Sequence, residues 1–374
     1  MEEREMMEEV LVEKEEKVYL ASQWKLMWWK FRRHKLAIIS LIVLMVFYII
    51  AIFAEFIAPN DPYKYDVRYV LAPPQRIRFI DENGFSLRPF VYGYKMEIDP
   101  VTFRRIYKED KTKKYPIYFF VRGPEYKLWG LFKTNIHLFG VKEGHLFLFG
   151  TDSMGRDLFS RLIYGTRIST TVGLVGVFLS FIFGIIIGGI SGYFGGAIDN
   201  IIQRIIEVIM SVPTLPLWMA LSAAVPPQWS PVRVYFAITI ILSFIGWTNL
   251  ARVVRSKFLS LREEDFVTAA RLAGASEIRI IFRHMLPSFL SHIIASITLA
   301  IPDMIIGETS LSFLGLGIRP PAISWGVLIQ DAQNFRTVAL SPWLLIPVIF
   351  VVIVVLAFNF VGDGLRDAAD PYAR

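Results

Sequence analysis

Long apolar runs separated by short polar ones dominate the chain from residue 36 onward. A helix needs roughly 20 apolar residues to cross a bilayer, because it rises about 1.5 Å per residue and the hydrocarbon core is about 30 Å thick. Six stretches meet or approach that length: residues 36–58, 172–192, 201–225, 234–254, 289–306 and 343–361. The third carries Arg204 and Glu207 near its start and Pro213 and Pro216 within it. The fifth is short and runs into Pro302 and Asp303. The pattern predicts an all-α polytopic membrane protein with six transmembrane helices.

Between the first two spans the pattern changes. Residues 59–169 are polar over more than a hundred positions, and stretches such as FSLRPFVYGYKMEI and KYPIYFFVRG are rich in aromatic and β-branched residues bounded by Pro and Gly. Such runs predict short strands, hence a small β-containing exterior segment. An irregular excursion pinned at the span ends fits the same residues.

The second span repeats small residues every fourth position, at Gly176, Ser180, Gly184, Gly188 and Gly192. That spacing places them on one helix face, where a neighbouring backbone can approach closely. The stripe predicts a packing face rather than an activity.

The connection after the fourth span, about 255–288, is punctuated differently. Residues 265–273 suit a helix, Gly274 suits its end, and Ser276 can cap a second helix. In that second helix Ile278, Ile281, Phe282 and Met285 share one face at the α-helical period, and Pro287 marks its end. The expected object is a helical hairpin with its apolar face on the membrane domain. An amphipathic connector lying on lipid explains these residues equally well.

Composition agrees with a membrane chain: 54% of residues are hydrophobic, 30 of the 374 are Phe, and mean hydropathy is +0.47. The formal charge of +7 comes from basic residues beside apolar runs rather than along one aromatic-interleaved stripe, which argues against nucleic-acid binding. Lys25, Lys30, Arg32, Arg33 and Lys35 precede the first span. Arg252, Arg255, Lys257, Arg262, Arg271, Arg279 and Arg283 surround the hairpin. The positive-inside rule therefore places both termini and the hairpin in the cytoplasm. The acidic start and long first run predict an uncleaved anchor after a cytoplasmic tail over 1–35. There is no Cys, so disulfides and thiolate metal sites are excluded. The five His, at 34, 137, 145, 284 and 292, show no metal-ligand spacing, and no metal is expected. Asp303 and Glu308 stand beside apolar residues near the end of the fifth span, where ionisable groups are costly and often line a pathway. Helix capping or a wet interface accounts for them as well.

Residues 268–287 resemble the EAA loop of prokaryotic ATP-binding cassette (ABC) importer permeases, whose pattern is Glu-Ala-Ala, three residues, Gly, nine residues, Ile, one residue, Leu-Pro. The matching positions are Thr268, Ala269, Ala270, Gly274, His284, Leu286 and Pro287, with Thr268 in place of Glu and His284 in place of Ile. GTDSMGRDLFSRLIYGTRIS, GYFGGAIDNIIQR, ETSLSFLGLGIRPPAISWG and NFVGDGLRDAADPYAR are similar to signatures of the C-type subunit of dipeptide, oligopeptide and nickel importers. FRRHKLA and IAPNDPYKYD fit as well, so the resemblance spans nearly the whole chain.

The resemblance implies a five-helix permease core over 170–374 and an exterior insertion over 59–169 near the point where a binding protein delivers its ligand. It implies a plasma-membrane complex with a sister permease, two cytoplasmic ATPases and an extracytoplasmic substrate-binding protein. In that complex Thr268, Ala269, Ala270, Arg271 and Gly274 dock the ATPase, and Leu286 and Pro287 hinge the hairpin to the fifth span. The chain binds no cofactor of its own, while ATP and Mg serve the ATPase partners. Consistently, no Gly-Lys dipeptide occurs, so there is no Walker A loop. Peptide is the expected cargo, with oligosaccharide or nickel as alternatives. An ion-driven secondary transporter would show paired inverted repeats and mid-bilayer carboxylates, which are not evident.

Overall fold

The computed structural model describes residues 23–81, 84–101 and 103–369; most of the acidic tail and the last residues of the C-terminal signature lie outside them. Helix α1 (Gln23–Arg33) precedes α2 (Lys35–Ile52), and His34 Nδ1 caps α2 by accepting from the Ala37 N–H at 3.1 Å. A break at Phe53 and a short turn (Ala54–Ile57) lead out of this first span. The order then runs through four strands, α3 (Leu158–Phe194), α4 (Gly196–Ser211), α5 (Thr214–Ala223), α6 (Pro231–Leu261), α7 (Asp265–Leu272), α8 (Leu290–Phe313), α9 (Trp325–Ile329) and α10 (Ile346–Ala369). Among the described residues five helices are long and apolar enough to cross a membrane, and α4 with α5 adds a sixth crossing if taken together.

Two spans depart from the apolar pattern. The third is not a straight helix: α4 and α5 meet at 84°, because Pro213 lacks an N–H and holds Val212 extended (φ −89°, ψ 130°). The second begins at Leu158, well before its apolar stretch, so residues 158–169 belong to the helix and not to the exterior segment. The start is fixed by Asp157, whose carboxylate accepts from the Ser160 N–H and from Asn60 Nδ2, each at 3.0 Å. Burial pushes that carboxyl up to about 6.

Strands β1 (Arg78–Asp81), β2 (Gly84–Ile98), β3 (Arg105–Leu128) and β4 (Phe132–Val141) form one antiparallel meander in that order. Val91 and Ile117 of the sheet and Leu146 make its small core. The sheet stands where α2 ends and α3 begins, so it lies at one end of the bundle.

The bundle itself is organised by α3. Ser243 Oγ of α6 donates to the Gly176 carbonyl at 2.9 Å, and Ser180 Oγ donates to the Ser243 carbonyl at 3.2 Å. Farther along, a Cβ on Gly184 would stand 2.8 Å from the Leu250 side chain. One on Gly188 would strike the Ala251 backbone, and one on Gly192 would lie 2.6 Å from the Arg255 carbonyl. The whole stripe thus faces α6, and from Gly188 on the two backbones touch. Helices α8 and α10 close the other side, with α2 against α10, where Gly364 meets Ala37 and Phe31. The ends of α3, α6 and α10 therefore share the side opposite the sheet, and the hairpin lies there.

Candidate functional site

The hairpin stands on a braced platform. Arg255 of α6 donates from Nε and from a terminal guanidinium nitrogen to the two oxygens of Asp199 at 2.5 Å each, and Ser191 Oγ donates to the same carboxylate. This bidentate pair ties the last turns of α3, the first turn of α4 and the end of α6 across the Gly195–Gly196 turn. Such forked contacts fix geometry as well as charge.

From that platform α7 runs to Gly274, which has φ +78°. The Ala275 N–H reaches the Ala270 carbonyl at 3.1 Å and the Gly274 N–H reaches the Arg271 carbonyl at 3.0 Å, a Schellman close that requires a left-handed residue at Gly274. Ser276 then caps the second limb by accepting from the Arg279 N–H. Val267, Ile280, Met285 and Phe289 are at most 5% exposed and sit against Ile185 and Tyr193 of α3, Val254 and Phe258 of α6 and Ile293 of α8. Each buried side chain contributes on the order of 1.5–3 kcal/mol. That burial is needed because an eight-residue helix such as α7 does not hold its shape alone in water. Between the two readings of this loop, the hairpin seated on the span ends is the one observed.

Its second limb differs from the α-periodic expectation. Residues Ile280–Met285 form a π-helix; of the expected face Met285 is buried and Ile281 packs against the same cluster, and Ile280 and Phe289 complete the buried side. Ile278 (70%) and Phe282 (55%) face outward instead. A π-turn closes over five residues instead of four, so side chains five apart, such as Ile280 and Met285, fall on one face. Pro287 lies inside a last helical turn (Leu286–Ser288), and the direction changes at Phe289 (φ −126°, ψ 16°), so the bend into α8 comes after the proline.

Of the expected docking residues, Thr268, Ala269, Arg271 and Gly274 are exposed, as is Pro287. Ala270 and Leu286 are half-buried and lean on the hairpin's own core. Leu272, which the pattern match does not single out, is 85% exposed.

Asp303 and Glu308, neighbours in sequence, occupy different surroundings. Asp303 is exposed on the wall of a cavity of about 510 Å³ between the bent α4–α5 pair, α6 and α8, together with Trp218, Asn249 and Ser310. Glu308 is fully buried. Ser312 Oγ donates to its carboxylate at 2.7 Å and Ser169 Oγ of α3 at 3.3 Å. Those hydroxyls in turn accept from the Ile318 N–H at 2.9 Å and the Trp325 N–H at 3.0 Å. Glu308 is the hub that holds α3, α8 and the 314–325 loop together at the sheet end. A glutamine places an amide NH2 where the second oxygen accepts from a serine hydroxyl, and a buried polar group left without its partner costs about 1–3 kcal/mol. In the transport role that the resemblance implies, Glu308→Gln is therefore expected to lower uptake at least severalfold while the amount of folded protein in the membrane stays near normal. Uptake assayed beside detergent-extract chromatography checks this, and an equal fall in both would reduce Glu308 to a purely structural role.

Several of these groups carry no periodic signature in the sequence. Asp199 shares its helix with Arg204 and Glu207, and nothing in the sequence pairs it with Arg255 among the basic residues around the hairpin. Ser312 lies four residues after Glu308 on the same helix, a spacing that brings the two together, whereas nothing in the sequence links Ser169 to them.

The profile of the binding-protein-dependent transport system inner membrane component matches residues 184–374, and that of the N-terminal TM domain of oligopeptide transport permease C matches residues 22–74. The dipeptide transport system permease protein DppC of Bacillus subtilis is 41% identical over 228 residues, 60% of this chain and 69% of that one. Its oligopeptide counterpart OppC from the same organism is 39% identical over 227 residues, 60% and 72% of the two chains. DppC of Haemophilus influenzae is 31% identical over 345 residues, 92% and 93%. Among solved structures, an inward-facing form of the MetNI methionine ABC transporter aligns with a TM-score of 0.45 and 18% identity, over 57% of this chain and 98% of that one.

Proposed function

This chain belongs to the family of binding-protein-dependent transport system inner membrane components, and on that premise we propose that it forms half of the translocation pathway of an ABC importer for peptides. The observation that carries the reading is the outward face of the hairpin. Leu272, Ile278 and Phe282 are 85%, 70% and 55% exposed, with Ala269 and Gly274 exposed beside them, while the inner face is sealed on three spans. Large exposed apolar side chains on so short a segment point to a docking surface. Here the occupant is a cytoplasmic ATPase subunit, whose movement on binding and hydrolysing ATP the hairpin passes to α6 and α8.

In this reading the partners are a sister permease, two ATPases that use ATP and Mg, and an extracytoplasmic binding protein. Both termini and the hairpin are cytoplasmic, the sheet is exterior, and the membrane is the plasma membrane of a prokaryote. The cavity beside α8 is this subunit's share of the path, with Asp303 placed to attract the ammonium end of a peptide. The names of the relatives, dipeptide and oligopeptide permeases, favour peptide over oligosaccharide or nickel.

Reconstitution of the whole complex in liposomes tests the proposal. Uptake of labelled peptides is expected to require ATP and the binding protein, and the chain without its ATPases is expected to hydrolyse none. Uptake driven by an ion gradient in the absence of ATP would overturn the reading, and ATP-driven uptake of sugar or nickel alone would overturn the choice of cargo.

A further inference from the structure

Strands β3 and β4 continue past the small core of the sheet as a two-stranded arm that returns along the end of α2. Val121 pairs with His137, whose Nδ1 lies 2.6 Å from the Ala58 carbonyl oxygen. The Phe120 ring lies 6.2 Å from that of Phe56. At the tip the Trp129 indole N–H donates to the Ile52 carbonyl at 2.8 Å, and the ring stands 5.9 Å from Phe53. Between Ala58 and Ile52 the arm has followed the chain of the first span back by roughly 9 Å, at about 1.5 Å per residue. The tip is thus level with the last turn of α2, where Ile49 (53%) and Ile52 (48%) face outward.

The tip itself is built at a cost. Its turn is Trp129–Gly130, with φ +53° and +74°, closed by the Leu131 N–H on the Leu128 carbonyl at 3.0 Å. Turns with two left-handed central residues strongly favour Asn-Gly or Asp-Gly, and a left-handed bulky residue costs about 1–2 kcal/mol. Turn formation therefore does not call for tryptophan at position 129. Next to it Leu131 and Phe132 are 75% and 62% exposed. One pair behind the tip, Lys127 lies directly across from Lys133; both are exposed, and neither has a carboxylate partner among the described residues. Like charges facing across two strands are unfavourable unless something anionic lies between or beside them. The same level carries the ion pair of Arg167 with Glu55, made by two hydrogen bonds of 2.6 Å, which marks where the apolar surface of α2 gives way to charge. Aromatic side chains flanked by lysines at such a boundary are the pattern of a membrane interface.

We infer that the β3–β4 arm is a lipid anchor. Trp129, Leu131 and Phe132 enter the headgroup–acyl boundary of the leaflet on the sheet side, and Lys127 and Lys133 contact lipid phosphates. The occupant is lipid rather than protein because the exposed tip continues the outward apolar face of α2 and carries the charge that an anionic headgroup complements. The inference rests on the chain's spanning a membrane, not on its cargo or its ATPase partners. Its consequence is that the exterior sheet is held to the bilayer at a second place, away from the span ends.

The absence of cysteine makes the test direct. Leu131→Cys, carrying a nitroxide, is placed in the assembled complex in nanodiscs containing phosphatidylglycerol. Val101→Cys, 84% exposed at the β2–β3 turn at the other end of β3, serves as the water-facing control. The Leu131 label is expected to be more accessible to oxygen than to a water-soluble nickel chelate, with the preference reversed at Val101. Equal nickel accessibility at the two sites would place the arm in water, and shielding of Leu131 from both relaxants would place it against a protein partner; either overturns the proposal. Adding Lys127→Glu and Lys133→Glu is expected to raise nickel accessibility at Leu131 severalfold in anionic discs and far less in neutral ones. The same change in both lipids would remove the phosphate contacts from the proposal.

Discussion

Leu272→Asp and Gly274→Val should each leave the chain inserted and paired with its sister permease while ATPase subunits fail to co-purify. Leu272 is 85% exposed, so a carboxylate there is solvated in the free permease and buried only when a partner covers the hairpin. An unpaired buried charge costs roughly 3–5 kcal/mol, a loss of about two to nearly four orders of magnitude in affinity. Gly274 acts differently. A Cβ on it would meet nothing within 4 Å, so the penalty is conformational: the Schellman close demands φ +78°, which costs a non-glycine residue about 1–2 kcal/mol and a β-branched one more. Valine would reopen the turn and move the two limbs apart. Pull-down from detergent extracts decides the matter, and normal ATPase recovery with normal substrate-stimulated hydrolysis in both variants would leave this loop a mere connector. Ala270→Asp is the weaker probe, because Ala270 leans on the hairpin's own core and its loss confounds docking with folding.

Gly188→Val is expected to abolish accumulation of folded protein. The added carbons would run into the Ala251 backbone, with its Cα at 2.9 Å, and backbone cannot step aside as a flexible side chain can. Overpacking in a relaxed core costs about 1–3 kcal/mol. Separating α3 from α6 would also strain the Ser180–Ser243 and Gly176–Ser243 hydrogen bonds and the Asp199–Arg255 pair, so the loss should exceed that range. Gly176→Ala supplies the contrast, since its Cβ would have ordinary contacts from 3.6 Å outward. A monodisperse chromatographic peak for Gly176→Ala and none for Gly188→Val is the expected result. Equal yields from both would mean that the α3–α6 contact is not what holds the bundle.

The long-period features were legible in the sequence. Apolar run length sets whether a helix can cross a bilayer, and five of the six runs became helices of spanning length with only their ends displaced. The four-residue spacing of small side chains is a property of one helix, so the face of α3 could be read without knowing that α6 would fill it. The hairpin's turn was equally local, because Gly274 and Ser276 act on their own backbone.

What the sequence left open depends on which segments meet. The choice between a hairpin on the spans and a connector on lipid turned on Val254, Ile185 and Ile293, which lie outside the loop, and on Phe258, which the structure assigns to α6. The π-helix at Ile280–Met285 packs Ile280 and Met285 on those residues, and an α-helical period drawn through Ile278 and Phe282 could not anticipate it. Asp303 and Glu308 look alike in sequence, yet one lines a cavity and the other is buried among serines from α3 and α8, since burial depends on neighbours supplied from elsewhere. Trp129 reads as an ordinary aromatic in a strand-rich segment. Only the folded arm brings its indole to the Ile52 carbonyl, because a contact across 77 residues is set by the packing of whole elements and leaves no periodic mark on the chain.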